Sequence, residues 1–410
     1  MTTIKPFQVQ HVIHSNASKS DAQRCLLLAS LAHIPTKIHG LDHSEDISAM
    51  LNCIQELGAR YDVDSSTVYP TFTLQKESIT LNVQESGFAL RTLAFVGMAF
   101  TKNLTLNGTG SLLQRDHSQV CHILQQIGFT VESNGNKLPI HISGSAKGKK
   151  LTVNGEAGSQ AISGLFLLAP FLHEDSVVSI EALKSKPYLE MTINRMRDFG
   201  LVVDELTADT FHMKGEQKIK STEVQIEGDW SGGANLLVGA AISGKIELHG
   251  LNPQTLQADR QILQAIGDFG ATIRLENDVL YVHQSKTKTS FETNITDCPD
   301  LFPILVVLAC AAKGSSKIIG VDRLKNKESD RLAVMCEVLE KFRIAFQLVE
   351  NAIYIHGTGM VEGGEINTHN DHRIAMAATI ASCIARNYIQ LTDASCVAKS
   401  YPEFFNDLGL

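Results

Sequence analysis

Broad positive charge is missing from this chain. Its 410 residues carry 36 Lys and Arg against 44 Asp and Glu, a formal net charge of −8 at pH 7. That balance argues against wide, non-specific attachment to nucleic acid, so any cationic site has to be local. Cysteine is thinly used, with eight residues, no Cys-x-x-Cys pair and no Cys/His metal spacing. A disulfide framework and a zinc site are both disfavoured, and free thiols in a reducing compartment are expected. The ten prolines are never clustered, which excludes a Pro-rich linker and favours compact domains. No apolar run approaches the roughly 18 residues of a membrane span. The longest, Leu301 to Ala312, suits a buried helix. The first residues (MTTIKPFQVQHVIHSNASKS) lack the apolar stretch of a secretory signal, so a cytoplasmic location without a membrane partner is expected.

What the chain does have is the composition of an ordinary globular protein, 43% hydrophobic and 20% charged. Its length suggests about two to three domains. It also repeats itself. Six times a small polar or charged cluster opens directly into an apolar helix, at Ser20, Gly87, Gln160, Gly232, Asp300 and Asp371. The intervals are 67, 73, 72, 68 and 71 residues. A second series keeps step, with helices stopping at Gly58, Gly128, Gly200, Gly270 and Arg343 before β-branched runs. Glycine suits the left-handed position that ends a helix, so Arg343 is the irregular member. Two interleaved series of one period predict an internal α/β repeat of two helices and several strands. The natural cut, three units and three units, falls near Glu227-Gly228-Asp229. The strand-like FQVQHVIH before Ser15 has no partner in its own half, so it is expected to pair with the second half.

Helix starts carry partial positive charge and unsatisfied N–H groups, and these starts are decorated for anions. SKSDAQR puts Lys19, Ser20 and Arg24 at one of them. A phosphate site and a capped helix with solvated charges are equally good readings there. KNKESDR sets Lys327 and Arg331 four apart around Glu328 and Asp330; taken alone, it reads as a salt-bridged surface helix. NDHR places Arg373 in a first helical turn, where the helix dipole disfavours a cation, and that misfit hints at use. In CPD, Asp300 reads locally as an N-cap of the most apolar helix. AGSQ and SKPY offer hydroxyl and amide groups to a polyhydroxylated or phosphorylated ligand, and Lys399 stands near an aromatic, Pro-stopped C-terminus.

Taken together, SNASKSDAQRCLLLASLA, ESGFALR, GSLLQRD, AGSQ, SKPYLEMTINRM, EGDWSGGAN, KNKESDR, NDHR and AKSYPEFF resemble, in order and spacing, the 5-enolpyruvylshikimate-3-phosphate synthase family. The likeness spans essentially the whole chain. It implies a two-domain inside-out α/β barrel, each domain holding three βαβαββ repeats with pseudo-threefold symmetry. The implied domains are 1–16 with 229–410, and 17–228, with the active site in the cleft between them. The implied reaction moves the enolpyruvyl group of phosphoenolpyruvate to the 5-hydroxyl of shikimate 3-phosphate without metal or organic cofactor. A monomer with these two small-molecule substrates and no nucleic-acid partner is expected.

Residue by residue, the resemblance implies that Ser20, Arg24, Ser159, Gln160, Ser185, Tyr188, Asp300, Arg323 and Lys327 hold shikimate 3-phosphate. Lys19, Gly87, Arg115, Gln160, Glu328, Arg331, His372, Arg373 and Lys399 would hold phosphoenolpyruvate. Addition across an enol ether needs a proton on the methylene carbon and a base for the attacking hydroxyl, a division of labour that two carboxylates in different environments can supply. Asp300 is assigned as the base, Glu328 as the proton carrier, and Lys19 as the aid to phosphate loss.

The chain departs from the family pattern at Asn16-Ala17, Glu85-Ser86-Gly87-Phe88, Thr92, Asp116, Gly158 and Arg323, the last standing where an asparagine is usual. Glu85 would lie near a substrate phosphate. A like-charge pair at about 4 Å costs roughly 1–4 kcal/mol, so Glu85 is expected to pair with Arg91 or Arg115 or to point away. Two alternatives remain at this stage. The sister transferase acting on UDP-N-acetylglucosamine has an Asn after the first Lys and usually a loop Cys, whereas Ser20 follows Lys19 here and residues 111–116 contain no Cys. A degenerate anion-binding homologue without catalysis is the other.

Overall fold

The computed structural model describes residues 1–70 and 76–410. By contacts the chain forms two compact units, Lys19–Ile226 and Met1–Ser18 with Glu227–Leu410. Within the second, Ser18 N–H donates to the Glu227 carbonyl at 2.8 Å and Ala17 is bridged to Gly228. These bonds keep residues 17–18 and 227–228 together, two residues inside the cuts read from the sequence at each end.

The unit Lys19–Ile226 contains helices α1 (Lys19–Ser30), α2 (Glu45–Glu56), α3 (Gly87–Val96), α4 (Ser118–Ile127), α5 (Gln160–Leu168) and α6 (Lys186–Asp198). Strand Ile79–Asn82 lies parallel to Asn103–Asn107, which is antiparallel to Lys137–Ser143, itself antiparallel to Thr130–Asn134. A parallel pair requires a crossover, supplied here by α3; the antiparallel hairpin follows α4. Lys150–Asn154, Ser176–Glu181, Thr210–Met213 and Asp204–Thr207 repeat that order around α5 and α6. The first sheet takes its parallel strand from the far end of the unit, where Glu223–Gln225 runs beside Thr36–His39. Lys137–Ser143 buries alternate residues, with Leu138, Ile140 and Ile142 pointing inward. Helices α3 and α5 pack closely because Gly164 has no side chain; a Cβ there would meet the Arg91 carbonyl at 2.5 Å.

The other unit holds α7 (Trp230–Ser243), α8 (Ile262–Asp268), α9 (Phe302–Ala311), α10 (Arg331–Lys341), α11 (His372–Ala381) and the short α12 (Phe404–Asp407). Every residue of α7, α9 and α11 is buried, and the three pack on one another in pairs. A helix that is apolar on every face is stable only inside a core. Val9–His14 pairs in parallel with Gly244–His249, so the N-terminal strand belongs to this unit. Glu292–Asn294 and Lys313–Ile319 form the next parallel pair. The last repeat ends differently: Gly364–Ile366 and Ile389–Leu391 are closed by Thr2–Ile4 rather than by a hairpin of their own. Within each unit the apolar helices therefore lie inside and the sheets outside, through repeats of strand, helix, strand, helix and two strands.

Both sequence series map onto this frame. The six polar starts stand at or just before the N-termini of α1, α3, α5, α7, α9 and α11. The stops at Gly58, Gly128, Gly200 and Gly270 have φ of +110°, +110°, +81° and +95°, and Arg343 adopts the same left-handed turn at +56°. Arg343 is thus irregular in chemistry and regular in geometry. Among the described residues, no helix is long and apolar enough to cross a membrane.

Candidate active site

Asp300 sits in the 3-10 turn Pro299–Leu301 that leads into α9. Its local reading as an N-cap does not hold, because neither that turn nor α9 has a side-chain cap. Its oxygens serve three cations instead. Oδ1 accepts from Arg331 Nη1 at 2.6 Å and Lys327 Nζ at 3.3 Å, and Oδ2 accepts from Arg373 Nη2 at 3.0 Å. Arg331, fully buried, also donates to Asp371 through Nε at 2.8 Å and to Glu328 through Nη2 at 2.7 Å. Asp371 in turn caps α11 by accepting the Arg373 N–H at 3.0 Å. Lys327 and Glu328 precede α10 rather than lying on it, since that helix begins at Arg331 with Asp330 as its cap. The exposed salt-bridged helix start read from KNKESDR is therefore replaced by a buried charge network.

Burial by itself would raise the Asp300 carboxyl. Arg373, Lys327 and Arg331 outweigh it and hold the group well below the usual carboxylate range. Lys327 is lowered, by burial first, with Asp300 opposing. Asp259, fully buried, goes the other way: burial and then the Asp300 charge push it up to about 6, against Arg373 and a hydrogen bond from Ser231 Oγ. Two neighbouring carboxyls with opposite displacements are a common mark of acid–base sites. His372 is buried, with Nδ1 3.8 Å from Asp371 Oδ1. Lys399 is buried in the turn Ser395–Lys399, which packs on α11. Arg323 donates to the Thr296 carbonyl at 2.6 Å, and its pKa is lowered by burial.

A second set lies in the unit Lys19–Ile226. Lys19 pairs with Asp46 of α2 at 2.9 Å. One turn on, buried Arg24 donates to Ser20 O at 2.5 Å, Tyr188 O at 2.9 Å and Thr192 Oγ1 at 2.8 Å. Ser185 precedes α6 with a left-handed φ of +57°, a costly conformation for a serine. Ser159 precedes α5 without capping it. Gln160 accepts from Arg91 Nη1 at 3.0 Å. A Cβ on Gly87 would come within 2.7 Å of Arg91 Nη1 and 3.2 Å of Arg115 Nη1, so two guanidinium groups converge on the first turn of α3. A helix N-terminus flanked by two cations favours an anion. Glu85 turns to Gly110, whose Cβ, if present, would stand 1.6 Å from Oε1.

Four participants carry no role in the sequence reading. Asp371 was legible only as a polar residue before a helix, and Arg91 only as a possible partner for Glu85. Asp46 and Thr192 gave no signal, being 27 and 168 positions from the cations they bind. The buried Nε groups of Arg115 and Arg373 have no hydrogen-bond partner among the described residues. No group of three or more His, Cys, Asp or Glu suited to a metal occurs among those residues either.

A family model described as EPSP synthase (3-phosphoshikimate 1-carboxyvinyltransferase) matches residues 4–408. A 3-phosphoshikimate 1-carboxyvinyltransferase of Clostridium novyi (strain NT) is 32% identical, covering 98% of this chain and 95% of that protein. The enzyme of the same name from Methanocorpusculum labreanum is 31% identical, with 98% and 96% covered. Among solved structures, an EPSP synthase from Acinetobacter baumannii superposes with a TM-score of 0.81 at 24% identity, covering 99% of this chain and 97% of its own. The enolpyruvyl transferase NikO from Streptomyces tendae gives 0.76 at 14% identity, with 99% and 96% covered. These two structures bear on the fold.

Proposed function

This chain belongs to the EPSP synthase (3-phosphoshikimate 1-carboxyvinyltransferase) family, and from that premise we propose how its side chains divide the reaction. It is an enzyme of the shikimate pathway that transfers the enolpyruvyl group of phosphoenolpyruvate to the 5-hydroxyl of shikimate 3-phosphate and releases phosphate.

Ser20, Arg24, Ser159, Gln160, Ser185, Tyr188, Asp300, Arg323 and Lys327 hold shikimate 3-phosphate. Lys19, Gly87, Arg115, Gln160, Arg331, His372, Arg373 and Lys399 hold phosphoenolpyruvate. Glu328 gives a proton to the methylene carbon while Asp300 takes the proton of the 5-hydroxyl, whose oxygen bonds to the neighbouring carbon. The tetrahedral adduct then loses phosphate with help from Lys19, and Glu328 takes a proton back from the new methyl group.

The observation that carries this reading is the Asp300–Arg331–Arg373–Lys327 cluster. With those cations turned on it, Asp300 is a poor base. An arriving phosphate and carboxylate compete for the same guanidinium and ammonium groups. As these turn to the substrate, Asp300 and Glu328 lose ion pairs and gain proton affinity. The substrate thus switches on its own acid and base. Since every proposed group comes from one chain, we propose a monomer. A cytoplasmic location fits the eight free thiols.

The test is phosphate release from phosphoenolpyruvate with and without shikimate 3-phosphate. Release should require both. Asp300→Asn and Glu328→Gln should each lower kcat by about 100-fold or more, the usual range for an acid–base group, with shikimate 3-phosphate still bound. Near-native turnover in either variant would remove that residue from the mechanism.

A further inference from the structure

Arg24 is about as buried as any cation in the protein, at 1% exposure, yet its three hydrogen bonds all go to neutral oxygens, those of Ser20, Tyr188 and Thr192. The carboxylate nearest in sequence, Asp21, is held by Arg195 through Nε at 2.6 Å and Nη2 at 2.5 Å. Burial therefore lowers Arg24 to about 10, with Asp21 and Tyr188 offsetting part of the loss. What faces the guanidinium in place of a carboxylate is an aromatic ring. Arg24 Cζ lies over Phe88, 4.5 Å from the ring centroid. Phe88 is itself buried in the first turn of α3, where its carbonyl accepts from Thr92 Oγ1 at 2.8 Å.

We propose that Phe88 is a positioning residue for the phosphorylated acceptor. It holds the Arg24 guanidinium in place without occupying any of its N–H donors. A guanidinium has five N–H donors, and three of Arg24's are in use, so two remain. A carboxylate partner would take those two and would have to be displaced by an incoming anion. A ring face stabilises the cation through its quadrupole and takes none of them. The contrast with Arg331 is direct, since all three of its nitrogens donate to carboxylates, those of Asp300, Glu328 and Asp371. The proposal rests on the reading that Arg24 binds shikimate 3-phosphate.

The experiment compares the full-length protein with Phe88→Leu and Phe88→Tyr. It measures KM for each substrate, kcat, calorimetric binding of shikimate 3-phosphate alone, and Tm. Leu keeps the bulk and removes the ring. It should weaken shikimate 3-phosphate, in both KM and Kd, by about 5- to 30-fold, as the loss of a desolvated cation–ring contact implies. KM for phosphoenolpyruvate and kcat should stay within about twofold, and Tyr should restore binding because it keeps the π face. Unchanged shikimate 3-phosphate affinity in Phe88→Leu overturns the proposal. So does an equal loss for both substrates, or a lowered Tm that Tyr does not rescue, since either describes packing alone. If the unaltered protein fails to bind shikimate 3-phosphate, the Arg24 assignment falls first and this inference falls with it.

Discussion

Arg331 donates to Asp371 at 2.8 Å while Asp371 also accepts the Arg373 backbone N–H at 3.0 Å. One carboxylate thus neutralises a buried cation and caps the helix that carries another. Asp371→Ala strips both functions. Arg331 keeps Asp300 and Glu328, so losing this one charged acceptor costs about 1.5–3 kcal/mol, and a lost cap adds about 1 kcal/mol. Urea unfolding should show a destabilisation of this order, and Asp371→Asn a smaller one because the amide oxygen can still cap. A loss under about 1 kcal/mol in the Ala variant would mean that Asp300 and Glu328 suffice for Arg331.

Asp259 sets a pH dependence. Its folded pKa of about 6 lies above the ordinary aspartate value of 3.8. The stability it contributes is therefore full below about pH 4 and is lost as pH rises through about 6, on the order of 3 kcal/mol in all. Asp259→Asn cannot ionise. Relative to the parent, its Tm should rise steadily between pH 4 and 7, and a pH-independent difference would show that Asp259 does not titrate there. Asp300 has the opposite sign: its pKa is depressed, so its contribution is present above about pH 4 and lost as the solution becomes more acid.

Gly87→Ala is expected to act on the ligand more than on the fold. The new Cβ meets the ends of the Arg91 and Arg115 side chains, at 2.7 and 3.2 Å, and those ends can move. Moving Arg91 breaks its bond to Gln160. KM for phosphoenolpyruvate should rise by about 10-fold, the worth of one charge-assisted hydrogen bond, with Tm nearly unchanged. A large fall in Tm with KM preserved would place the cost in packing.

Arg343→Gly should stabilise the protein. The residue is exposed at the end of α10 with φ +56°, where a side chain costs about 1–2 kcal/mol. Glycine's extra unfolded-state freedom returns about 0.5–1 kcal/mol of that. A net gain of about 0.5–1 kcal/mol should appear in urea titrations, and a loss would show that the arginine side chain contributes packing or charge at this turn.

The repeat was legible because it is local. A polar start, an apolar helix, a left-handed stop and a β-branched run are each written in a few adjacent residues. Arg343 shows the limit, since the turn there is imposed by the fold around it rather than by the residue. The Arg373 misfit was also legible: a cation in a first turn is disfavoured, and Asp300 at 3.0 Å answers it. What the local reading of Asp300 could not show is a network. As an N-cap it was the better local bet, and only the approach of α10 and α11 to α9 turns it into the acceptor of three cations. Phe88 stands out in the sequence only as a departure from the family pattern; its stacking on Arg24, 64 positions away, needs α3 packed against α1.

The pairing of Val9–His14 with Gly244–His249, and of Thr2–Ile4 with Ile389–Leu391, has a consequence for how the chain is made. These two N-terminal strands leave the ribosome long before their partners. Lys19–Ile226 can close as soon as Glu223–Gln225 appears beside Thr36–His39, a whole unit finished while the N-terminal strands are still unpaired. Those strands hold exposed edges throughout that interval, the condition in which strands from different chains find one another. Gly244–His249 releases Val9–His14 from it, and Thr2–Ile4 waits for Ile389–Leu391.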